Sequence, residues 1–313
     1  MKQNVLVTGG AGYLGSILCE TLLANGYKVT ILDNMYYQQH SAHFHLCSHS
    51  DYDCIFGDVR DEKLVSKLVK GADVIIPLAA IVGAPACDLD PILARSVNLD
   101  AIKLINKSRS KLQLVIYPTT NSGYGTQTGS VHCTEDTPLQ PISLYGVTKC
   151  EAEKELLDSE NTITLRLATV FGFSPRMRLD LLVNHFVYAA VTDGYLVMFE
   201  KHFKRNFIHV RDVAACFLHC IKNSAKMVGR PYNVGQDSAN VSKEELALKV
   251  KEHIPNFDIR FSEVGTDPDK RNYIVSSQRL RDSGFEAKYS LDDGIRELVK
   301  GYRMLKRLPM KNI

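Results

Sequence analysis

The sequence contains no long hydrophobic run. None of its apolar stretches reaches about 18 residues, which excludes a membrane-spanning helix, and the apolar run near the amino terminus is too short for the core of a signal peptide. We therefore expect a protein that meets no membrane and resides in the cytoplasm. Internal repeats and low-complexity linkers are also missing, so any lobes are expected to pack closely.

Charge of one sign and paired cysteines are scarce as well. The 38 basic and 35 acidic residues leave a net charge of +3, spread along the chain, and this excludes the basic surface by which proteins bind nucleic acids. The 8 cysteines form no CxxC pair, so we expect them to stay reduced and partly buried. With 45% hydrophobic and 23% charged residues the chain is otherwise an ordinary globular protein.

The first half of the chain alternates strand-like and helix-like segments, which is typical of a parallel α/β sheet. The predicted strands are NVLV, KVTILD, CIFGD, ADVIIPLAA, LQLVIYP and ITLRLATVFG, and the predicted helices are YLGSILCETLLANG, residues 62–69 and residues 91–108. Gly26 is expected to end the first helix. Beyond about residue 170 prolines interrupt the regularity, which predicts a smaller second lobe. The expected division is residues 1–168 and 169–313.

A glycine-rich turn follows the first predicted strand. In VTGGAGYLG, Gly9 permits a tight turn, Gly12 lets the backbone approach a pyrophosphate, and Gly15 allows close packing of the helix. Asp33 ends the second strand near the spacing, about 20 residues, of a ribose-binding acid. Its carboxylate favours NAD over NADP because it would repel the extra phosphate, and no arginine follows it closely in the sequence. Asp58 is a candidate for the adenine edge or a simple turn residue.

The segment YGVTK places Tyr145 and Lys149 four residues apart, so that on a helix both side chains lie on one face. A tyrosine that acts as a base near neutral pH needs its pKa lowered from about 10 to about 7, which corresponds to roughly 4 kcal/mol. A nearby ammonium and a positively charged nicotinamide ring can supply this through charge. The pair therefore indicates general acid–base chemistry next to the nucleotide site.

These motifs together resemble the extended short-chain dehydrogenase/reductases, the group of nucleotide-sugar epimerases and dehydratases. The matching segments are TGGAGYLG, GDV, PLAA, Asn98, TTNSGYG, YGVTK, RLATVFG, RNFIHVRD and YNVG. The resemblance implies a Rossmann-type doubly wound α/β sheet that holds tightly bound NAD, and a smaller C-terminal lobe that binds a nucleoside-diphosphate sugar. It also implies a homodimer formed through the helices near residues 91–108 and 144–157.

The resemblance further implies which residues meet each ligand. The implied catalytic triad is Thr120, Tyr145 and Lys149, in which the tyrosine takes the proton of a sugar hydroxyl while hydride passes to NAD. The residues implied for NAD are Gly9, Gly12, Tyr13, Leu14, Asp33, Asn34, Asp58, Val59, Leu78, Ala79, Ala80 and Asn98, with Tyr145 and Lys149. The residues implied for the substrate are Thr120, Asn121, Ser122, Arg176, Arg178, Asn184, Arg205 and Arg271. The alternatives are a surface cation for either Arg205 or Arg271 and a capped, solvated helix start for Arg176, Arg178 and Asn184.

The residues after Thr120 depart from the pattern of the dehydratases. Dehydratases of this group carry an Asp-Glu pair there, whereas this chain has Asn121 and Ser122, neither of which exchanges a proton near neutral pH. Elimination of water is therefore disfavoured. The same argument disfavours a decarboxylase, whose relatives keep a glutamate at the second position. Redox chemistry at one carbon remains.

Two segments, PLAAIVGAPACDLDP and GFSPRMRLDLLVNHF, resemble a subgroup that acts on GDP-activated heptoses in bacterial capsule synthesis. This likeness implies oxidation of the C4 hydroxyl of GDP-D-glycero-α-D-manno-heptose, with the NADH reoxidised by a 2-keto acid such as 2-oxoglutarate. A C4 epimerase needs the same triad and is the alternative. A catalytically silent NAD-binding regulatory protein is a third reading, against which the intact triad argues.

One histidine-rich segment fits none of these motifs. HSAHFHLCSH contains His40, His43, His45, Cys47 and His49 within ten residues, and such side chains can bind a divalent metal. The segment follows the second strand, however, and the implied chemistry needs no metal. We therefore predict a surface or interface loop and no metal site.

Overall fold

The computed structural model describes residues 2–38, 40–126, 132–262 and 272–305, and the elements below belong to these ranges. The strands are β1 (Asn4–Thr8), β2 (Lys28–Asp33), β3 (Tyr52–Phe56), β4 (Val74–Pro77), β5 (Leu114–Thr120), β6 (His132–Cys133), β7 (Thr162–Leu167), β8 (Thr169–Phe171), β9 (Tyr195–Met198), β10 (Lys204–His209), β11 (Arg230–Val234), β12 (Asn240–Ser242), β13 (Asp258–Phe261) and β14 (Ile274–Val275).

The α-helices are α1 (Tyr13–Ala24), α2 (Glu62–Lys70), α3 (Ala84–Leu89), α4 (Pro91–Arg95), α5 (Ala101–Ser108), α6 (Leu144–Leu157), α7 (Leu182–Thr192), α8 (Val210–Lys222), α9 (Ser224–Met227), α10 (Lys243–His253), α11 (Gln278–Asp282) and α12 (Leu291–Leu305). A π-helical segment, Ser96–Asp100, joins α4 to α5, so the helix predicted over residues 91–108 is continuous but wider in its middle turn. Gly26 follows the end of α1 with φ +82°, as its predicted role requires.

Seven parallel strands form the central sheet in the order β11-β7-β5-β4-β1-β2-β3. The order reverses between β1 and β4, where the chain turns from one half of the sheet to the other. In open α/β sheets the ligand crevice lies at such a switch point, outside the carboxyl ends of the strands. The predicted Rossmann-type doubly wound α/β fold is confirmed.

Both faces of this sheet are buried, because successive strand residues alternate between two cores. Val5 and Val7 pack with α1 and α8 on one face, whereas Leu6 packs with the α5 and α6 side of the sheet. Parallel strands covered by helices on both faces read as continuous apolar runs, and this is why the strand predictions from the sequence succeeded.

The predicted strand ITLRLATVFG divides at Ala168. Its first half, β7, stays in the central sheet, and its second half, β8, pairs with β10 in a three-stranded sheet of order β12-β10-β8. Two pairs, β13 with β9 and β14 with β6, are separate. Since β11 returns to the central sheet after residue 169, the two lobes interleave, and the boundary at residue 168 stays a prediction. No helix within the described ranges has both the length and the apolar content to cross a membrane.

Candidate active site

The turn after β1 has the geometry of a phosphate cradle. Gly9 adopts φ +70°, and a Cβ atom there would lie 2.5 Å from the backbone nitrogen of Ala79. Gly12 is the N-cap of α1 and has no side chain to cap the helix, so the amino end of the helix is presented by backbone alone. A Cβ at Gly15 would meet the carbonyl oxygen of Gly10 at 2.3 Å. The contacts at Gly9 and Gly15 fit the tight turn and the close helix packing expected there, whereas the approach of a pyrophosphate to Gly12 stays a prediction.

Asp33 lies beside this turn at the carboxyl end of β2. One carboxylate oxygen accepts a hydrogen bond from the N–H of Ala11 (3.0 Å), and the other accepts from the N–H of Met35 (2.8 Å). Burial raises the pKa of the Asp33 carboxyl, and these two N–H groups oppose the rise. The carboxylate therefore holds the glycine-rich turn, and its contact with a ribose stays a prediction.

Asp58 follows β3, and its carboxylate is hydrogen-bonded to neighbouring side chains. Arg60 donates two hydrogen bonds of 2.8 Å to its two oxygens, and the amide of Asn34 donates a third at 3.3 Å. Hydrogen bonding to Arg60 lowers the pKa of Asp58 to about 2. The predicted contact of Asp58 with adenine stays a prediction, as does that of the buried Val59.

The loop after β4 closes the other side of the cradle. The N–H of Leu78 donates to the carbonyl of Thr8 (2.8 Å), which joins this loop to β1 at the switch point. Asn98, in the π-helical segment, exchanges two hydrogen bonds with the backbone of Ile81, at 2.8 and 2.9 Å. Ala79 and Ala80 lie between these two attachments. The end of β1, the loop after β4 and the π-helical segment are thus held together at one edge of the sheet.

Thr120 ends β5 at the same edge and begins a 3₁₀ turn, Asn121–Tyr124. Its hydroxyl donates to Ser122 Oγ (2.8 Å) and accepts from the N–H of Ser122 (3.0 Å). Asn121 is fully buried, and both polar atoms of its side chain lack a hydrogen-bond partner among the described residues. A buried amide without partners is costly, and it fits a site where a ligand supplies them.

Tyr145 and Lys149 lie one turn apart on α6. Lys149 is 4% exposed, and its Nζ lies 4.0 Å from the centre of the Tyr117 ring. Burial lowers the pKa of Lys149 to about 7, against the opposing charges of Cys150, Glu153 and Cys87. A lysine in this state exchanges its proton readily near neutral pH, as a partner of a tyrosine base requires.

The segment after β8 crosses to the start of α1. Ser174 donates to the carbonyl of Tyr13 (2.7 Å), and the Tyr13 hydroxyl donates to the carbonyl of Gly172 (2.7 Å). The amide of Asn184 accepts from the N–H of Gly172 (3.0 Å) and donates to the carbonyl of Arg178 (2.9 Å). Tyr13 and Asn184 therefore fasten this segment over the helix start, while Leu14 packs against the core. A substrate contact for Asn184 stays a prediction.

Arg176 and Arg178 project from this segment toward different parts of the site. Arg176 is 4% exposed, its guanidinium carbon lies 4.4 Å from the centre of the Tyr37 ring, and its Nη2 lacks a partner among the described residues. Asp33 is within electrostatic range of Arg176, and Tyr145 is within range of Arg178, which also pairs with Asp180. The structure thus brings Arg176 within electrostatic range of Asp33, at the predicted cofactor end of the crevice.

The remaining predicted arginines belong to the second lobe. Arg205, on β10, is buried, and its guanidinium lies 5.9 Å from the centre of the Tyr273 ring. Arg271 lies outside the described residues. Their contacts with a diphosphate stay predictions.

One histidine side chain of the histidine-rich segment is buried in the protein interior. His43 is buried, its Nδ1 lies 2.6 Å from the hydroxyl of Tyr52, and burial lowers the pKa of the imidazole to about 4. Where the chain is described, no group of three or more His, Cys, Asp or Glu side chains is arranged to bind a metal. The burial of His43 was not predicted from the sequence, which indicated a surface or interface loop here. The buried pair of Arg166 and Glu153 was not predicted either, although a charged residue inside the apolar run ITLRLA signals a buried ion pair.

The chain is similar to known proteins over most of its length. Residues 5–235 match the family described as NAD dependent epimerase/dehydratase. The chain belongs to this family. The predicted NAD-dependent enzyme of the epimerase/dehydratase type is therefore confirmed. The glycine cradle, the start of α1, which no side chain caps, and the buried Nη2 of Arg176, which lacks a partner among the described residues, fit NAD, whose diphosphate is anionic.

Relatives of the chain in this family are similar over nearly their whole length. The low-salt glycan biosynthesis protein Agl12 of Haloferax volcanii is 28% identical over 315 residues, covering 96% of this chain and 98% of the relative. The structure of UDP-glucuronic acid 4-epimerase from Bacillus cereus, in complex with UDP-glucuronic acid and NAD, superimposes with a TM-score of 0.85 at 24% identity, over 96% of this chain and 99% of that one. UDP-glucose 4-epimerase from Thermotoga maritima does so with a TM-score of 0.84 at 21% identity, over 97% and 100%. At these identities the two structures show the shared fold alone.

Proposed function

We propose that the protein oxidises the C4 hydroxyl of a nucleotide-activated sugar to a ketone. The proposed substrate is GDP-D-glycero-α-D-manno-heptose, and the proposed second substrate is a 2-keto acid, such as 2-oxoglutarate, that reoxidises the bound cofactor. The resemblance of two segments to the GDP-heptose subgroup supports the sugar and the 2-keto acid. The family and the geometry of the site support the redox step.

One observation carries the choice of reaction. The positions after Thr120 hold Asn121 and Ser122, and the structure keeps both side chains buried beside the triad. Neither an amide nor a hydroxyl exchanges a proton near neutral pH, so the site has no acid and base there for the loss of water from the sugar. Oxidation at one carbon removes a proton from its hydroxyl oxygen and a hydride from the carbon, and for this the triad as base and NAD as hydride acceptor suffice.

The roles of the residues follow from their positions. Tyr145 takes the proton of the sugar hydroxyl, Thr120 holds that oxygen by a hydrogen bond, and Lys149 supports the tyrosine electrostatically. NAD, when bound, accepts the hydride. Asn121 offers its free amide to the substrate, and Arg205, with Arg271 as a second candidate, offers charge to the diphosphate, each such bond contributing about 1.5–3 kcal/mol.

A C4 epimerase is the second candidate function. The same triad can return hydride to the opposite face of the ketone, and the structurally similar proteins from Bacillus cereus and Thermotoga maritima are 4-epimerases by name. The two functions differ in whether a ketone and reduced cofactor accumulate.

Incubation of the purified protein with GDP-, UDP-, dTDP- and CDP-sugars, followed by mass spectrometry and NADH absorbance, tests the proposal. We expect one GDP-heptose to lose two hydrogens and the bound cofactor to become NADH, which a 2-keto acid then oxidises. A C4 epimer as the sole product, with no mass change and identified by its NMR spectrum, would establish the second candidate. A protein that neither reduces NAD nor converts any of these sugars contradicts both functions.

Arg176 is expected to bind the cofactor rather than the sugar. Its buried guanidinium is within electrostatic range of Asp33, so Arg176→Met should weaken NAD binding by about 10-fold or more through loss of a charge-assisted bond. Isothermal titration with NAD measures this effect, and Arg260→Met, at an exposed arginine of β13, is the matched control. Unchanged NAD affinity together with a raised KM for the sugar nucleotide would show that Arg176 binds the substrate, as the resemblance implies.

A further inference from the structure

A buried ion pair lies between the two elements that carry the catalytic triad. Arg166, on β7, donates from Nε (2.9 Å) and Nη2 (2.6 Å) to the same oxygen of Glu153, on α6. The side chains of Arg166 and Glu153 are 7% and 3% exposed. A buried pair of this kind is weak evidence of stabilisation, because removing two charges from water costs about as much as their attraction returns. A different role is therefore required.

The third nitrogen of Arg166 reaches the other catalytic element. Its Nη1 donates to the hydroxyl of Tyr124 (3.0 Å) and to the carbonyl of Glu135 (2.9 Å). Tyr124 closes the 3₁₀ turn that begins after Thr120, and its own hydroxyl donates to Asn233 (2.7 Å) on β11. One planar guanidinium thus joins the helix of Tyr145 to the turn of Thr120.

The spacing of residues on α6 places Glu153 on the same face of the helix as the catalytic side chains. Tyr145, Lys149 and Glu153 follow one another at four-residue intervals, so all three lie along one face of the helix. In the sheet, Arg166 pairs in register with Thr119, the residue before Thr120. On α6 the guanidinium is therefore bound at Glu153, one turn from Lys149 and two turns from Tyr145. On the other side it contacts Tyr124, at the end of the turn that begins after Thr120.

We propose that Arg166 and Glu153 are positioning residues, which hold the Thr120 turn and the Tyr145–Lys149 face of α6 at a fixed separation. This role rests on the proposed function only for its effect on turnover. The fixed separation itself is a property of the folded chain. Arginine suits it because the rigid fork binds two partners at once, which a lysine ammonium on a flexible stem does not do.

The conservative variant Arg166→Lys is the main test. It keeps a charge opposite Glu153 but cannot reach Glu153 and Tyr124 together. We expect kcat to fall by about 10- to 100-fold, since misplacing catalytic groups by about 1 Å has effects of this size, with KM for the sugar nucleotide and the Kd for NAD changed less than about threefold. Amide hydrogen exchange should become faster in both Asn121–Tyr124 and Leu144–Leu157.

Arg109→Lys is the matched control. Arg109 also spans several acceptors, the carbonyl of Glu160 (2.7 Å) and the hydroxyl of Thr162 (3.1 Å) among them, but at the opposite, amino end of β7. The control should leave kcat and exchange in the two catalytic segments unchanged. If both lysine variants lose activity in proportion to thermal stability, Arg166 is merely structural and the proposal is overturned.

Tyr124→Phe separates the two arms of the link. It removes one hydroxyl and leaves the pair of Arg166 with Glu153 intact, so exchange should rise in Asn121–Tyr124 and stay unchanged in α6. Equal loosening of both segments, or of neither, contradicts a link through this hydroxyl. The exchange measurements need no substrate. A chain that shows them and yet oxidises no nucleotide sugar refutes the proposed function and supports the positioning role.

Glu153→Gln adds a readout that stability does not affect. The titratable groups facing Lys149 are Glu153 and the thiol of Cys150 on its own helix and the thiol of Cys87 on α3, and the ring of Tyr117 faces it from β5. Burial raises the pKa of both thiols, so Glu153 carries the charge among them. Loss of the Glu153 charge leaves the ammonium less stabilised, so the basic limb of kcat against pH should move to lower pH. An unmoved basic limb, with unchanged exchange in both segments, would show that Glu153 serves packing alone.

Discussion

Replacement of Tyr145 with phenylalanine is expected to lower turnover by about 10²- to 10⁴-fold, the usual contribution of a general acid or base. In the proposed function the phenol takes the proton of the sugar hydroxyl, and Lys149, whose Nζ lies 4.0 Å from the centre of the Tyr117 ring, supports it electrostatically. NAD affinity should change less than about threefold, because the glycine cradle, Asp33 and Arg176 are untouched. Steady-state kinetics and NAD titration measure the two effects.

The matched control is Tyr27→Phe. Tyr27 lies between α1 and β2, at the amino end of the sheet and therefore on the side opposite the crevice. It should leave turnover unchanged. Full activity in the Tyr145 variant would mean that another residue is the base, and a loss of NAD binding equal to the loss of turnover would mean that the phenol holds the cofactor rather than the proton.

Gly9→Ala is expected to abolish NAD binding and to lower the free energy of unfolding by roughly 3–5 kcal/mol, the range of severe core substitutions. Two causes add. The backbone has φ +70°, which costs a residue with a Cβ about 1–2 kcal/mol, and that Cβ would lie 2.5 Å from the nitrogen and 2.6 Å from the Cα of Ala79, neither of which can rotate away. Denaturant unfolding and NAD titration report the result.

Gly26→Ala separates these causes. Gly26 has φ +82°, yet nothing lies within 4 Å of the position of its added Cβ. This variant should lose only about 1–2 kcal/mol from backbone strain and should bind NAD normally. Equal losses in the two variants would show that strain alone matters, and that the close approach of the β1 and β4 loops contributes nothing.

The parts of the site predicted from the sequence are those in which a few adjacent residues determine the geometry. The glycine-rich turn, the acid at the end of β2 and the Tyr145–Lys149 pair are each built within one strand, turn or helix. Their spacing along the chain therefore becomes their spacing in space. The same holds for the strands of the central sheet, whose apolar runs reflect burial on both faces.

The parts that the sequence did not reveal depend on contacts between distant segments. Arg176 lies more than 140 positions from Asp33, and only the crossing of the segment after β8 over α1 brings it to the cofactor end of the crevice. The division of ITLRLATVFG between two sheets was likewise hidden, because both halves are equally apolar and the bend at Ala168 depends on which strands lie beside them.

The sequence by itself determined the fold class and predicted the residues of the NAD site and of the triad, because local backbone requirements and four-residue helical spacing encode them directly. It also determined, through Asn121 and Ser122, that no acid pair follows Thr120. Only the tertiary structure decided how the triad is held together. A single guanidinium from β7 joins the turn of Thr120 to the helix of Tyr145, and a contact among Tyr124, Glu153 and Arg166 leaves no periodic pattern along the chain, because its partners meet only when the sheet and α6 pack.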